Sequence, residues 1–384
     1  MKDVGYAVEP GPLLDLFCGI GGLSAGFRNA GWTPVAGVDS DAALVAAYGA
    51  NFPGSEAIAG DVSDAGLQAR LKRDYGPGGL LLPPRVDGGG SGGWGGCGSA
   101  GGGGGRGRGR GRERGEVARL SAIVGGPPCV GLSDANRKRA VANPVNRLPL
   151  EFARLAASLE PDVIVMEQSK NLKLLKSDRG DSLADRVLKI LSDMGYDPRA
   201  ELLKAEDYGV PQRRKRTIIV AFRREGRGQG AFPSAGAGWA SVRFPPPETT
   251  AGKHVPAGRV LKPPFSGPLL EGRDLETVKM RDAMTKREVG GMEWFPRRAY
   301  TSMDLSEPSP TLRTYVHTAA GAFTLHDRAR GTYHKMGLPE MLALQTFPKS
   351  HRLPEGLTKA RVGVGNAVPV KLAEAVARGL LRQR

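Results

Sequence analysis

Pro12-Leu13-Leu14-Asp15-Leu16-Phe17-Cys18-Gly19-Ile20-Gly21-Gly22-Leu23 decides the fold class of this chain. Pro12–Phe17 is a compact apolar run that ends in a glycine loop, and Leu23–Ala30 continues as a helix closed by Gly31. A strand passing through glycines into a helix is the opening unit of an α/β sheet. The glycines let a ligand approach the backbone at the positive end of the helix. The spacing is not Gly-x-Gly-x-x-Gly, because Ser24 stands at the third glycine position, so a plain dehydrogenase fingerprint fits poorly. Asp39 lies 20 residues after Gly19, at the end of the next strand. An acid there binds ribose hydroxyls, and a nucleoside-bearing cofactor is expected. Asp61 follows a third strand and either takes an adenine amino group or caps a helix.

Outward from that loop, strands and helices alternate. Val35–Val38 reads as a second strand, and Ser40 or Asp41 caps a helix over Ala42–Ala50. Glu56–Ala59 is a weak third strand, followed by a helix near Asp64–Asp74. Ser121–Val124 and Asp162–Met166 are further strands, with a helix around Leu150–Ser158 between them. Ser182–Met194 is helical and ends at Gly195, and Thr217–Phe222 is a β-branched strand. This order predicts an α/β fold with a doubly wound, mainly parallel sheet.

Residues 76–116 interrupt the pattern. About half of them are glycine, and Arg106, Arg108, Arg110, Arg112 and Arg114 alternate with glycine or glutamate. Such a segment buries too little apolar surface to offset its ordering entropy, which predicts a disordered insertion. It serves either as a solvated spacer or as an Arg-Gly tether for single-stranded nucleic acid. From about Arg223 to Pro310 the alternation stops. Proline, glycine, lysine and arginine dominate there, with Trp239, Phe244, Phe265, Trp294, Phe295 and Tyr300 interspersed. This reads as a second, smaller and irregular domain. The helix Val368–Leu381 returns to the first pattern.

The chain has 384 residues, 40% of them hydrophobic, enough for two cores. Its 55 Lys and Arg against 39 Asp and Glu give a net charge of +16. That surplus suits a polyanionic partner, since each neutralised phosphate releases counterions. Cys18, Cys97 and Cys129 form no Cys-x-x-Cys pair, so neither a zinc site nor a disulfide framework is expected, and a reducing compartment fits. Met1–Pro12 lacks the features of a signal peptide, and no apolar stretch approaches the roughly 18 residues of a membrane helix. A soluble intracellular protein is expected.

Three further stretches carry chemistry. Gly125-Gly126-Pro127-Pro128-Cys129 follows the buried strand and precedes Val130-Gly131-Leu132-Ser133. The edge at the carboxyl ends of the strands is where ligands bind in an open α/β sheet. Cys129 is there either as a nucleophile or as a buried thiol in an ordinary turn. Glu167 closes the apolar strand that ends at Met166, solvated or facing the same cleft as Cys129, where it could hold a proton for a ring nitrogen. Gln212-Arg213-Arg214-Lys215-Arg216 precedes the last strand. In an extended segment Gln212, Arg214 and Arg216 share one face, unless the run is only a basic surface.

Taken in order, DLFCGIGG at 15–22, Asp39, Gly60-Asp61, GGPPC at 125–129, Glu167, QRRKR at 212–216, LQTFP at 344–348 and GNAVP at 365–369 resemble the cytosine-5 DNA methyltransferases. The resemblance covers nearly the whole chain except the glycine-rich insertion and the region after 222. It implies a Rossmann-like class I methyltransferase domain over 1–222, a target-recognition domain with its support over 223–355, and a segment over 356–384 that returns to the first domain. It implies S-adenosylmethionine as cofactor and duplex DNA as partner. From the cysteine pattern and the lack of a membrane-length apolar stretch no metal and no membrane are expected, and a monomer is the default because a flipped base needs only one active site. Asp15, Phe17, Gly19, Gly21, Gly22 and Pro127 would line the cofactor pocket. Asp39 would hold the ribose, Asp61 the adenine, and Asn366 would complete the site. Cys129 would be the nucleophile. Glu167 and Arg216 would bind the cytosine ring with Arg214 nearby. Pro128, Gly131, Ser133 and Gln212 would shape the substrate loop, and Gln345-Thr346-Phe347-Pro348 would support the recognition domain. The compartment implied is a nucleus in a eukaryote and cytoplasm or nucleoid in a bacterium.

The chain departs from the family at Val130 and Leu132, where glutamine and phenylalanine are usual. It departs again at Gln168-Ser169, where Asn-Val usually follows the glutamate. A tRNA cytosine-5 methyltransferase of the same fold and a non-catalytic nucleic-acid-binding relative are the competing readings. Gly131-Leu132-Ser133 stands closer to the DNA enzymes.

Overall fold

The structure is a computed structural model that describes residues 8–79, 119–128, 144–174, 176, 180–224, 253–283, 301–312 and 323–381. The apolar run at the start forms β1 (Pro12–Leu16), which feeds α1 (Gly22–Asn29) through the glycine loop. β2 (Thr33–Asp39), α2 (Ala42–Asn51), β3 (Glu56–Ala59) and α3 (Ala65–Tyr75) follow. Asp41, not Ser40, caps α2 by accepting from Ala43 N at 2.9 Å, and Asp64 caps α3 by accepting from Leu67 N at 2.8 Å. Side-chain caps satisfy N–H groups that a helix leaves without internal partners, which is why these polar residues mark the helix starts.

β4 (Ala122–Gly125), α4 (Leu148–Ser158), β5 (Val163–Ser169) and the short α5 (Asn171–Leu174) come next. A Ser182/Asp185 capping box opens α6 (Leu183–Asp193). β6 (Tyr196–Lys204), β7 (Gln212–Arg213) and β8 (Lys215–Arg223) complete the first half. The main sheet runs β3-β2-β1-β4-β5-β8-β6. Its first five strands are parallel, and β8 is antiparallel to both β5 and β6. β6 carries Pro198 and four charged residues, so its sequence does not read as a strand. Proline is tolerated there because β6 lies at the sheet edge, where a missing N–H costs no ladder bond.

Two cores cover the sheet. Leu14, Leu16, Ile123, Ile164 and Met166 pack under Phe152 of α4 and Val187 and Leu191 of α6. On the other face Leu13, Val124, Val165, Ile218 and Val220 meet Leu23 and Phe27 of α1 and Leu372 and Val376 of α10 (Val370–Gly379). Each fully buried aliphatic or aromatic side chain contributes roughly 1.5–3 kcal/mol. The α1–α10 contact demands small residues. A Cβ on Gly22 would sit 2.4 Å from Val368 O, and one on Gly26 would sit 2.4 Å from the Ala373 methyl.

The remaining described elements are α7 (Gly272–Ala283), β9 (Thr301–Ser302), β10 (Ser309–Pro310), β11 (Phe323–Asp327), β12 (Thr332–Lys335), α8 (Leu338–Leu344) and α9 (Leu357–Asn366). β12, β11 and β9 make a small sheet, and β10 pairs with β7. A third apolar cluster joins this region to the first loop. Leu261, Phe265, Met303, Leu325 and Met341 share it with Ile20, Tyr48, Phe52 and Val364. Most of the Gly/Arg-rich insertion, and Trp239, Phe244, Trp294, Phe295 and Tyr300, lie outside the described residues. Among the described residues no helix is long and apolar enough to cross a membrane.

Candidate active site

The first loop is bent by three residues in the left-handed region: Phe17 at φ 63°, Gly19 at φ 52° and Gly21 at φ 88°. A bulky aromatic rarely adopts that conformation, and such strain concentrates at ligand sites. Phe17 is half-buried, and its ring stands at the carboxyl end of β1. Glycine is required at 21, where a Cβ would lie 2.2 Å from the Phe52 ring, whereas at Gly19 a Cβ would meet nothing within 4 Å. The Gly19 side of the loop is therefore open. Asp39 ends β2 and anchors the loop: its carboxylate accepts from Gly19 N and from Asp41 N, each at 3.0 Å. Burial pushes the Asp39 carboxyl up from the usual range, against these two hydrogen bonds.

Asp15 is fully buried, and no part of it is reachable from solvent. Its Oδ2 accepts from Ser24 N at 3.2 Å and from Ser24 Oγ at 2.6 Å. Its Oδ1 has no hydrogen-bond partner among the described residues. Desolvation pushes the carboxyl up to about 7, despite the Ser24 bonds. Ser24 Oγ also meets Tyr48 Oη at 3.0 Å. Asp15 thus shapes the loop from behind. Cys18 is buried beside it, and desolvation pushes its thiol up, with the Asp15 and Asp39 carboxylates adding to the effect. A buried neutral thiol is chemically inert. Asp61 is exposed and does not cap α3. One oxygen accepts from Ser63 N and Ser63 Oγ, and these bonds hold its carboxyl below the usual range. His351, which no motif marks, meets the Ile20 carbonyl of the loop through Nε2 at 2.8 Å.

The second half of the site lies along β5 and β8. Ser169 pairs with Arg216 and Glu167 with Ile218, so Glu167 and Arg216 are diagonal neighbours on one sheet face. Arg216 Nε stands 2.7 Å from Glu167 Oε1, a close ion pair whose N–H is not aligned as a hydrogen bond. Their side chains are 18% and 9% exposed, shielded enough for the pairing to be felt but open on one side. Glu167 also faces the Gly-Gly-Pro-Pro segment: a Cβ on Gly126 would lie 3.5 Å from Glu167 Oε2. Gln168, turned to the opposite face, donates from Nε2 to Pro127 O and accepts from Ser169 N at 2.8 Å. It clamps the proline segment onto β5. Ser169 keeps a buried hydroxyl with no hydrogen-bond partner among the described residues. Pro128 is the last described residue of this segment. Cys129, Gly131 and Ser133, with Val130 and Leu132, lie outside the described residues.

The QRRKR run alternates as an extended segment should. Gln212 and Arg214 are buried, Arg216 is half-buried, and Arg213 and Lys215 are exposed. Arg214 reaches into the carboxyl-terminal segment. The residue is 1% exposed, and its guanidinium donates from Nη1 to Gly365 O at 3.1 Å and from Nη2 to Asn366 O at 3.3 Å. Burial and the neighbouring Arg216 charge disfavour the Arg214 cation, while Glu167 favours it. Gln212 donates to Gln345 Oε1 at 3.0 Å and accepts from Leu312 N at 3.0 Å. Gln345 donates into the returning segment, to Val364 O at 2.7 Å and Ala367 O at 3.0 Å, while Phe347 of the same motif packs with Leu261, Phe265 and Met303. QRRKR, LQTFP and GNAVP are therefore one buried hydrogen-bonded unit, and Val368 rests on Gly22 of the first loop. Asn366 ends α9 with its side chain exposed.

The model of the C-5 cytosine-specific DNA methylases matches residues 12–74 and 110–382. The chain belongs to that family. The gap between the two matched blocks, residues 75–109, falls almost entirely in the Gly/Arg-rich insertion. Type II methyltransferase M.NgoPII of Neisseria gonorrhoeae is 23% identical over 392 residues, spanning 97% of this chain and 96% of its own length. Type II methyltransferase M.HgiDI of Herpetosiphon aurantiacus is 24% identical over 372 residues, spanning 96% and 93%. A solved structure of a Spodoptera frugiperda DNMT2 variant shares the fold at TM-score 0.58 and 15% identity, covering 96% of this chain and 99% of that one. This chain is a DNA cytosine-5 methyltransferase.

Proposed function

We propose that this methyltransferase uses S-adenosylmethionine to methylate C5 of a cytosine turned out of duplex DNA, with Cys129 as covalent nucleophile. The Glu167–Arg216 pair beside Gly126 carries the reading, because it sets an acid and a cation next to the segment that leads into Cys129.

The first loop fits the cofactor. Phe17 offers an aromatic face, Gly19 an open edge, Asp39 lone pairs for ribose hydroxyls, and Asp61 an exposed carboxylate for the adenine amino group. Asn366 would complete the site from α9. Asp15, Gly21 and Gly22 act through the loop they shape. When bound, S-adenosylmethionine supplies an electrophilic methyl group.

Cytosine C5 is a weak nucleophile inside an aromatic ring. Addition of the Cys129 thiolate at C6 breaks the C5–C6 double bond and moves its electron pair onto C5 and toward N3 and O2. Cysteine suits this step because its thiolate is accessible near neutral pH and strongly nucleophilic. Glu167 holds a proton at N3 as charge develops there, and Arg216 stabilises O2. Once C5 carries the methyl group, its proton leaves to a base, the double bond re-forms and the thiolate departs. The target must leave the base stack, at a cost of a few kcal/mol. Lysines and arginines of the 223–355 region, read as the recognition domain, offset that cost at phosphates.

The test is transfer of labelled methyl groups to duplex DNA and, in parallel, to tRNA. It is paired with trapping on 5-fluorocytosine DNA, whose C5 fluorine blocks the final elimination. A covalent complex with wild type and none with Cys129→Ala is expected. Label on tRNA alone would overturn the DNA reading, and turnover by Cys129→Ala would overturn the nucleophile.

A further inference from the structure

The carboxyl end of α9 is satisfied by side chains from two distant motifs. A helix leaves its last four carbonyls without internal partners. Here Gly363 O accepts from Ala367 N at 3.1 Å. Gln345 takes the carbonyls of Val364 and Ala367, and Arg214 takes those of Gly365 and Asn366. Arg214 thus puts a buried cation at the negative end of the helix, where the backbone dipole favours it. The planar fork of arginine reaches two neighbouring carbonyls at once, which a lysine ammonium does not reproduce. Gln212 fixes the amide of Gln345 so that its NH2 faces α9. Among the described residues only the backbone of Asn366 is held, and the residue is exposed beside the segment that rests on Gly22.

We propose that Arg214 and Gln345 are positioning residues for the cofactor: by capping α9 they set the backbone from which Asn366 reaches it, and Arg214 does not touch the flipped base. The inference rests on the cofactor reading above. It divides the two arginines of QRRKR between the two halves of the site. Arg216 faces Glu167 and the base, and Arg214 faces α9.

The experiment uses the full chain, with S-adenosylhomocysteine as calorimetric probe and steady-state kinetics in each substrate. For Arg214→Lys we expect the Kd for the probe and the KM for the cofactor to rise about tenfold or more, the scale of one lost charge-assisted hydrogen bond. The KM for DNA and kcat should stay within about threefold, the spread expected when no substrate contact is lost. Asn366→Ala should show the same defect, and the double variant should be no worse than Asn366→Ala alone, because the arginine acts through the asparagine. If Arg214→Lys does not accumulate as folded protein, Gln345→Met, which removes the other half of the cap, carries the same expectation. A fall in kcat or a rise in DNA KM at unchanged probe affinity would overturn the assignment in favour of a base contact. Additive single variants, or a uniform loss of active fraction at unchanged Kd, would overturn it as well. Failure of the wild type to bind the probe would instead remove the cofactor reading on which it rests.

Discussion

Asp15→Asn should change how stability depends on pH. The buried Asp15 carboxyl is pushed up to about 7 from an ordinary value of 3.8. Between those values the folded protein holds a proton that the unfolded chain has released. Stability is therefore lost as pH rises, and the loss levels off above about 7. A tenfold change in proton affinity corresponds to about 1.4 kcal/mol, so ionised Asp15 costs the fold about 4 kcal/mol at pH 8. At pH 5 the unfolded chain has released its proton and the folded protein has not, so the cost is only about 1–2 kcal/mol. The Asp15 contribution should thus worsen by about 3 kcal/mol from pH 5 to pH 8. Asparagine keeps the oxygen that accepts from Ser24 and does not titrate. Its amide NH2 in place of the unpartnered Oδ1 adds a buried donor without an acceptor, at about 1–3 kcal/mol. That penalty is independent of pH and cancels when the two proteins are compared across pH. The assay is urea unfolding of wild type and variant at half-unit steps from pH 5 to 8, without cofactor. The variant should gain on the wild type by about 3 kcal/mol over that range. A flat difference curve, or one that falls, would refute the reasoning.

Further outcomes are expected elsewhere. Gly22→Ala should lower stability by about 1–3 kcal/mol, because the new methyl meets the Val368 backbone and that clash outweighs alanine's helix preference of about 1 kcal/mol. Thermal melting checks it, and an unchanged melting temperature would count against the close approach. Gln168→Leu should cut kcat by about tenfold or more, since it frees the Pro127 carbonyl and loosens the segment leading to Cys129. Single-turnover kinetics reads this directly. Arg216→Met should destabilise the fold by about 3 kcal/mol by leaving the shielded Glu167 carboxylate unpaired, and Arg216→Met/Glu167→Gln should recover most of that, as urea unfolding of the three proteins would show. His351→Leu should weaken cofactor binding more than DNA binding, measured by titration with each, because the Ile20 carbonyl of the first loop loses its partner.

Much of the sheet was legible because local signals agreed. Buried apolar runs marked β1, β4 and β5, and a capping residue at 40–41 marked the start of α2, whereas the caps of α3 and α6 came only from the structure. β6 was not legible, since its charged, proline-containing sequence becomes a strand only through pairing with β8 at an edge. The inward face of Gln212, Arg214 and Arg216 followed from period-two geometry. What Arg214 grips did not, because its partners are backbone carbonyls about 150 residues away, and carbonyls leave no trace in side-chain identity. Gln345 sat in a recognisable motif whose target, α9, only the tertiary structure reveals. His351 belongs to no motif, and its hydrogen bond to Ile20 depends on how the segment after α8 folds back.

The docking of α10 on α1 has a consequence for synthesis. Leu23 and Phe27 of α1 reach their cover, Leu372 and Val376, only after about 350 further residues have been added. At roughly 5–20 residues per second on the ribosome, that is on the order of 20 s to a minute during which one face of the nascent sheet stays uncovered. Truncation before Val370 would leave that apolar face open in the released product. The enzyme becomes competent only once residues 370–379 have been made, when a late helix seals the face laid down by an early one.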